Sequence, residues 1–199
     1  MEILSSTSVG TVPEFAEFPS IARLVREVVV TEKIDGTNAQ IHITDDDRMF
    51  AGSRTRWISP TADNHGFATW VTAHRDELMA LGAGSHFGEW WGSGIQRGYG
   101  LTKGEKRFSL FNVGRWIVAE SERTNEKQEV TPACCLVVPI LHRGLFDTAQ
   151  IEAVLTHLGA TGSQAAPDFM NPEGIVVYHE KSRTLFKRTL DGDGHKGMK

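Results

Sequence analysis

Short runs of apolar residues separated by turn-forming residues most constrain how this chain can fold. In the run 38–44, Ala39, Ile41 and Ile43 fall on one side of the chain and polar residues on the other. Alternation with a period of two is typical of a strand with one buried face. Further strands are predicted over 28–34, 48–54, 85–91, 106–118, 134–141, 173–180 and 184–190.

Three helices are predicted between these strands. The first is a brief helix capped by Ser20, the second covers 63–81 with Asp63 as its cap, and the third begins at Asp147 and ends at Gly159. Many strands with few, separated helices predict an α+β fold of antiparallel sheets with flanking helices. No linker or second composition zone interrupts residues 1–199, so we expect a single domain.

Composition excludes several classes of protein. The sequence is 40% hydrophobic and 23% charged, and no apolar run is long enough to cross a bilayer. The first residues lack a basic region followed by an apolar one, so we expect a cytoplasmic protein without membrane partners. A net charge of −4 argues against a general nucleic-acid coat protein, but it allows an enzyme whose basic residues gather on one face.

The segment 32–38, EKIDGTN, carries the first chemical signal. Lys33 follows the apolar run of a predicted strand and precedes an Asp-Gly turn, so its amine is expected at the end of a strand beside a sharp bend. A lysine amine whose charge is suppressed is a nucleophile. Alone, this pattern describes many surface lysines as well.

Five further motifs follow the lysine segment and give it weight. In chain order they are SRTR at 53–56, FGEWWG at 87–92, FSLFNV at 108–113, PEGIVVY at 172–178 and LFKRT at 185–189. Together the six segments resemble the covalent-lysine superfamily of ATP-dependent DNA ligases, RNA ligases and mRNA capping enzymes. Within it, the chain resembles the RNA ligase family, in particular its RNA ligase 2-like branch.

This resemblance implies an ATP-grasp-like nucleotidyltransferase domain of the DNA and RNA ligases, here without an OB domain. It implies that Lys33 takes AMP from ATP, with Mg²⁺ or Mn²⁺ as the cation. Glu173 would bind that cation. Lys187 would contact the α-phosphate, although the family often has two lysines where this chain has Lys187 followed by Arg188.

The resemblance also assigns residues to the nucleotide. Glu32 would face the adenine through its carboxylate or its backbone carbonyl, which favours ATP over GTP. Asp35 would cap the turn or orient the lysine, and Gly36 would let the backbone approach the nucleotide. Glu89 would accept from a ribose hydroxyl or bind metal. Phe111 would stack on the purine.

Basic residues are candidates for nucleic-acid contacts. Arg54 would hold the ribose or the phosphate of a polynucleotide end, and Arg56 and Arg188 are weaker candidates for the nucleic-acid backbone. The predicted function is an ATP-dependent RNA ligase that seals a 5′-phosphate to a 3′-hydroxyl. Three alternatives stay open: a small DNA ligase, a GTP-dependent capping guanylyltransferase, and a non-catalytic binder of nucleotides or ends. The sequence leaves open whether a partner chain is needed.

Overall fold

Two facing sheets form the centre of the computed structural model, which describes residues 14–21 and 23–192. The first sheet has the order β10-β1-β11-β12, and every neighbouring pair in it is antiparallel. Its strands are β1 Glu27–Lys33, β10 Ile140–Leu145, β11 Gly174–His179 and β12 Thr184–Thr189.

The second sheet has six strands in the order β4-β3-β2-β5-β6-β9. Only its β6–β9 pair is parallel. A separate parallel pair, β7–β8, lies apart from both sheets. The strands are β2 Thr37–Ile43, β3 Met49–Ser53, β4 Trp57–Ile58, β5 Gly84–Gly92, β6 Lys106–Leu110, β7 Trp116–Ile117, β8 Glu129–Val130 and β9 Cys135–Val137.

Helices cover the outer faces of the two sheets. The six-stranded sheet packs its apolar face on α1 Phe67–Ala73 and α2 Arg75–Leu78, and the four-stranded sheet packs on α3 Thr148–Thr161. Between the sheets lies a third apolar cluster, in which Val29 of β1 and Trp91 of β5 are buried together. Because side chains alternate along a strand, this cluster fixes which residues of each sheet face the other sheet.

The predicted α+β fold with antiparallel sheets is confirmed. Apart from the two facing sheets and the short β7–β8 pair, residues 23–192 form no further sheet, so they contain no OB domain. No helix in the described part of the chain is long and apolar enough to cross a membrane.

Several predictions of local structure are wrong. The predicted strand over 134–141 is interrupted at Val138 and Pro139, and its two parts, β9 and β10, belong to different sheets. Residues 23–26 form no helix after Ser20, and the apolar side chains there are exposed. The predicted helix over 63–81 breaks at His74, whose φ of −107° and ψ of 19° leave the helical region. The predicted strand over 106–118 ends at Leu110, because the amides of Arg115 and Trp116 turn back to the Asn112 carbonyl. The N-terminal residues 1–13 and most of the tail lie outside the described residues.

Candidate active site

Lys33 lies at the end of β1, where the register of the sheet brings it to Glu173. Lys33 pairs with Gly174, the first residue of β11, so the preceding glutamate lies beside the lysine. Lys33 Nζ donates to Glu173 Oε2 at 2.5 Å, and both side chains are largely shielded, with 25% and 17% of their areas exposed. Lys33 lies four residues after Val29 in β1, so the two side chains are on the same face of the strand. Lys33 therefore faces the cleft between the sheets.

The turn after Lys33 is held against β5. A Cβ on Gly36 would lie 2.5 Å from the Trp90 carbonyl oxygen and 2.8 Å from Trp91 Cβ, so only glycine fits at this contact. The Gly36 amide donates to Glu89 Oε1 at 3.0 Å, and Asn38 Nδ2 lies 3.4 Å from Glu89 Oε2. The structure thus brings Lys33, Gly36, Glu89 and Glu173 into one site.

Glu89 is a buried acid within this site. Burial raises the pKa of its carboxyl to about 7, although the Gly36 amide and the Lys33 charge both oppose the rise. The carboxyl group is therefore a mixture of neutral and ionised forms near neutral pH. A group of this kind can donate a hydrogen bond as well as accept one.

Two residues that the motifs did not indicate secure the turn. The Tyr99 hydroxyl accepts from the Asp35 amide at 2.9 Å and donates to the Lys33 carbonyl at 3.4 Å. Burial raises the pKa of the Tyr99 phenol, which keeps it neutral. Its local signal is its place between Gly98 and Gly100, since Tyr99 itself has a positive φ of 50°.

Arg97 is the second residue that sequence motifs missed. Its Nε donates to Asp35 Oδ2 at 3.1 Å, and its Nη1 donates to Asn171 Oδ1 at 2.9 Å, two residues before Glu173. Its Nη2 donates to the Asp191 carboxylate. One guanidinium therefore joins the lysine turn to the segment that carries Glu173, and Asp35 is an acceptor in that link.

Lys187 and Arg188 lie on opposite faces of β12. Lys187 pairs with Val176 and Arg188 pairs with Ile175. Ile175 is buried against α3, so Arg188 is directed to that side, where it forms an ion pair with Glu152 of α3 at 2.7 Å. Lys187 is on the other face of β12, which is the face toward the cleft. Strand alternation turns the two side chains apart, so Arg188 does not share the cleft with Lys187, and its contact with nucleic acid stays a prediction.

Glu32 directly precedes Lys33 in β1, so its side chain is on the opposite face of the strand, and its carboxylate is buried. It accepts from Ser163 Oγ at 2.6 Å and from the amides of Gln164 and Ala165 at 2.8 and 3.0 Å. The carboxylate therefore anchors the loop after α3 rather than lying free for adenine. The adenine contact stays a prediction for the Glu32 backbone carbonyl.

The remaining predicted residues lie on the six-stranded sheet. Phe111 follows β6 with 41% of its area exposed, and its amide donates to the Phe87 carbonyl at 2.9 Å. Arg54 and Arg56 are exposed at the tip of the β3–β4 hairpin, which the Ser53 amide closes onto the Arg56 carbonyl at 2.8 Å. No ion pair to either arginine is formed within residues 23–192.

The residues present fit a divalent cation that arrives with a nucleotide. In the described part of the chain, no three His, Cys, Asp or Glu side chains converge on one point to form a complete metal cage. Mg²⁺ and similar cations are commonly held by one or two carboxylates, with phosphate oxygens and water completing the shell. Glu173 lies at the cleft beside Lys33, and its binding of the cation stays a prediction.

Comparison with known proteins decides the family. A sequence model described as RNA ligase matches residues 26–189, which include the lysine and every other motif of the site. The chain belongs to the RNA ligase family. Among curated proteins, none matches this sequence.

Solved structures of the Naegleria gruberi RNA ligase share this fold. A ligand-free mutant is 22% identical with a TM-score of 0.56, and a mutant with AMP and Mn is 21% identical with the same TM-score. A mutant with ATP and Mn is 22% identical with a TM-score of 0.54. Each match covers 83% of this chain and 50% of the other, so the chain spans about half the length of these relatives.

Proposed function

We propose that this chain is the nucleotidyltransferase part of an ATP-dependent RNA ligase. The observation that carries the proposal is the cleft-facing amine of Lys33, hydrogen-bonded to Glu173 and flanked by Glu89 across the Gly36 turn. A nucleophile next to a carboxylate that can accept its proton is the arrangement required for covalent catalysis. Membership of the RNA ligase family supports the same assignment.

In the first step, Lys33 Nζ attacks the α-phosphorus of ATP. Lys33 first gives one proton of its ammonium group to Glu173. The neutral nitrogen then forms the bond to phosphorus, the bond to pyrophosphate breaks, and the second proton on nitrogen leaves with the pyrophosphate. Lys187 projects into the same cleft and would stabilise the negative charge that gathers on the phosphate oxygens. A divalent cation that arrives with ATP would replace that proton on Glu173, and it would neutralise phosphate charge when bound.

Two further steps would complete the reaction. AMP passes from Lys33 to the 5′-phosphate of a polynucleotide, and a 3′-hydroxyl then displaces AMP and seals the strand. Arg54 is exposed at the cleft-side end of the β3–β4 hairpin, where it can bind a terminal phosphate. Phe111 presents an exposed ring beside Phe87 and can stack on the purine.

Covalent labelling tests this proposal directly. The protein is incubated with Mg²⁺ or Mn²⁺ and each of the four nucleoside triphosphates labelled in the α-phosphate, then denatured and run on a gel. We expect label from ATP alone, none in Lys33→Ala, and wild-type labelling in the control Lys181→Ala, which changes an exposed lysine.

Other outcomes assign the chain differently. Label from GTP would indicate a capping-type guanylyltransferase, and no label from any nucleotide would indicate a non-catalytic binder. A labelled protein is then given single-stranded RNA, nicked RNA and nicked DNA with 5′-phosphate ends. Sealing of DNA nicks alone would indicate a DNA ligase, and sealing only after addition of a second protein would show that a partner chain is required.

A further inference from the structure

An exposed aromatic surface extends away from the site across the six-stranded sheet. Trp57 of β4 pairs with Gly52 of β3, Gly52 pairs with Gln40 of β2, and Gln40 pairs with Phe87 of β5. Phe111 follows directly, since its amide bonds the Phe87 carbonyl. Residues paired in this way lie on one face of a sheet, so these positions form a row across it.

The aromatic rings on this face of the sheet are exposed to solvent. Trp57 and Phe87 expose 54% and 56% of their areas, and Phe50, on the same face one step along β3, exposes 39%. Phe50 lies 5.8 Å from Trp57 between ring centroids, and His42 lies 6.0 Å from it. Exposed aromatic rings grouped on one face of a sheet, here on either side of Gly52 and Gln40, mark a binding site more often than isolated exposed residues do. We call Phe50, Trp57 and Phe87 the aromatic surface.

The middle of the aromatic surface offers a polar edge. Gly52 has no side chain, and a Cβ there would lie 2.7 Å from both Cγ and Nε2 of Gln40. The Gln40 amide therefore lies across Gly52, between Trp57 on one side and Phe87 on the other. An amide supplies both a donor and an acceptor, which suits the edge of a nucleobase.

Positive charge borders the aromatic surface at its cleft-side end. Arg54 and Arg56 occupy the tip of the hairpin that carries Trp57, both exposed and without a carboxylate partner in the described ranges. Before the opposite end of β3, the Arg48 guanidinium lies 5.8 Å from the centroid of the Phe50 ring, but it is already paired with Asp46. The arginines without a carboxylate partner on this hairpin are therefore at its tip, where the phosphates of a bound strand would be favoured.

We propose that the aromatic surface binds unpaired nucleobases next to the reacting end of a single-stranded polynucleotide. This inference rests on the proposed function and specifies its substrate class. Exposed aromatic rings beside arginines bind single strands by stacking, with the phosphates on the cations. A base within a continuous duplex has both faces covered by its neighbours, so it cannot lie on Trp57. Four strand spacings separate the Phe111 and Trp57 positions, or about 19 Å.

The proposal is tested by measuring the affinity for a fluorescent single-stranded RNA with a 5′-phosphate. Fluorescence anisotropy reports the binding, and ATP is left out. We expect Trp57→Ala to weaken binding about five- to a hundredfold, and Trp57→Phe to retain most of the affinity, because stacking needs a planar ring. Phe186→Ala is the matched control. Its ring is 55% exposed but lies on the α3 side of β12, so binding should be unchanged. Circular dichroism confirms that each variant is folded.

A fully paired duplex with a nick, made from the same sequence, supplies the comparison. We expect it to bind more weakly than the single strand and to be insensitive to Trp57→Ala. Equal affinity of wild type and Trp57→Ala for the single strand would overturn the proposal, as would a self-association that depends on Trp57 without any effect on RNA binding. The two proposals fail separately: RNA binding through Trp57 in a protein that ATP never labels would refute the ligase reaction alone.

Discussion

Lys33 Nζ and Glu173 Oε2 are 2.5 Å apart, although 140 residues separate them in the chain. The pairing of β1 with β11 creates this contact, because Lys33 lies opposite the residue that follows Glu173. The sheet therefore sets the distance between the proposed nucleophile and its carboxylate. Glu173 itself directly precedes β11, and its carbonyl accepts from the Leu190 amide at 2.9 Å, which holds it beside the end of β12.

Replacing Lys33 with arginine separates charge from nucleophilicity. Arginine keeps a positive charge that can pair with Glu173, but it is not deprotonated in proteins. We expect Lys33→Arg to change the free energy of unfolding by about 1 kcal/mol or less and to abolish labelling by ATP. Urea denaturation and the labelling gel measure the two effects. Labelling of the arginine variant at the wild-type level would show that another residue is the nucleophile.

Glu89 makes stability depend on pH with a definite sign. The pKa of its carboxyl is about 7 in the folded protein, against an ordinary 4.5, because the group is buried. The folded protein thus holds a proton that the unfolded chain has lost between these values. Its contribution to stability is fully present below about pH 4.5 and is lost as the pH rises to about 7.

The variant Glu89→Gln should remove this dependence, since the amide stays neutral. Relative to Glu89→Gln, the free energy of unfolding of the wild type should fall by about 3 kcal/mol across that interval. Urea denaturation at several pH values from 4 to 8 measures the difference. Glu180→Gln, at an exposed site, is the control and should show no such slope. A wild-type curve parallel to that of Glu89→Gln would contradict the prediction.

Gly36 allows the turn to approach β5. In Gly36→Ala the new Cβ would lie 2.5 Å from the Trp90 carbonyl oxygen and 2.8 Å from Trp91 Cβ. Both distances are too short, and both neighbouring atoms are held in β5, so the turn itself would have to move. Overpacking of this kind costs about 1–3 kcal/mol, and displacement of the turn would lengthen the bond to Glu89. We expect lower stability together with slower labelling. Gly114→Ala is the control, because its Cβ would lie 3.4 Å from Asn112 Oδ1.

Arg97 should act as a positioning residue. A lysine in its place cannot reach Asp35 and Asn171 at once, because only the guanidinium presents donors in a fixed fork. We expect Arg97→Lys to lose about 1–3 kcal/mol of stability and to slow labelling at saturating ATP. Arg123→Lys changes an arginine that binds only nearby residues and should label normally. Normal labelling by both variants would show that the link is dispensable.

Local signals predicted α3 well but not its end. Asp147 accepts from the amides of Ala149 and Gln150, as a capping aspartate should. The helix then continues through Gly159, where a Cβ would lie 2.9 Å from Leu190 Cδ2, and it ends before Gly162, whose φ is 84°. Both glycines are visible in the sequence. Only tertiary packing shows that the first serves a close contact and the second a helix end.

The site shows the same division between local and distant information. The motifs indicate Lys33, Glu89 and Glu173 because each lies in or directly beside a strand with its own sequence pattern. Arg97 and Tyr99 were missed because their partners lie 62 and 66 residues away, across a turn without periodicity. The sequence does not predict how the Glu32 carboxylate is bound for a similar reason, since its hydrogen-bond donors lie more than 130 residues away in the chain.

Lys187 and Arg188 are neighbours in the sequence but lie on opposite faces of β12, so we expect different effects when each is replaced. Lys187 faces the cleft, and Arg188 pairs with Glu152 of α3 on the opposite face. We expect Lys187→Ala to slow labelling by about a hundred- to a thousandfold, the usual effect of removing a group that stabilises transition-state charge. Arg188→Gln should label normally and lose about 1 kcal/mol or less with its partly exposed ion pair. Rate measurements at saturating ATP and urea denaturation distinguish the two. Slow labelling in Arg188→Gln with unchanged Lys187→Ala would mean that β12 presents its other face to the nucleotide.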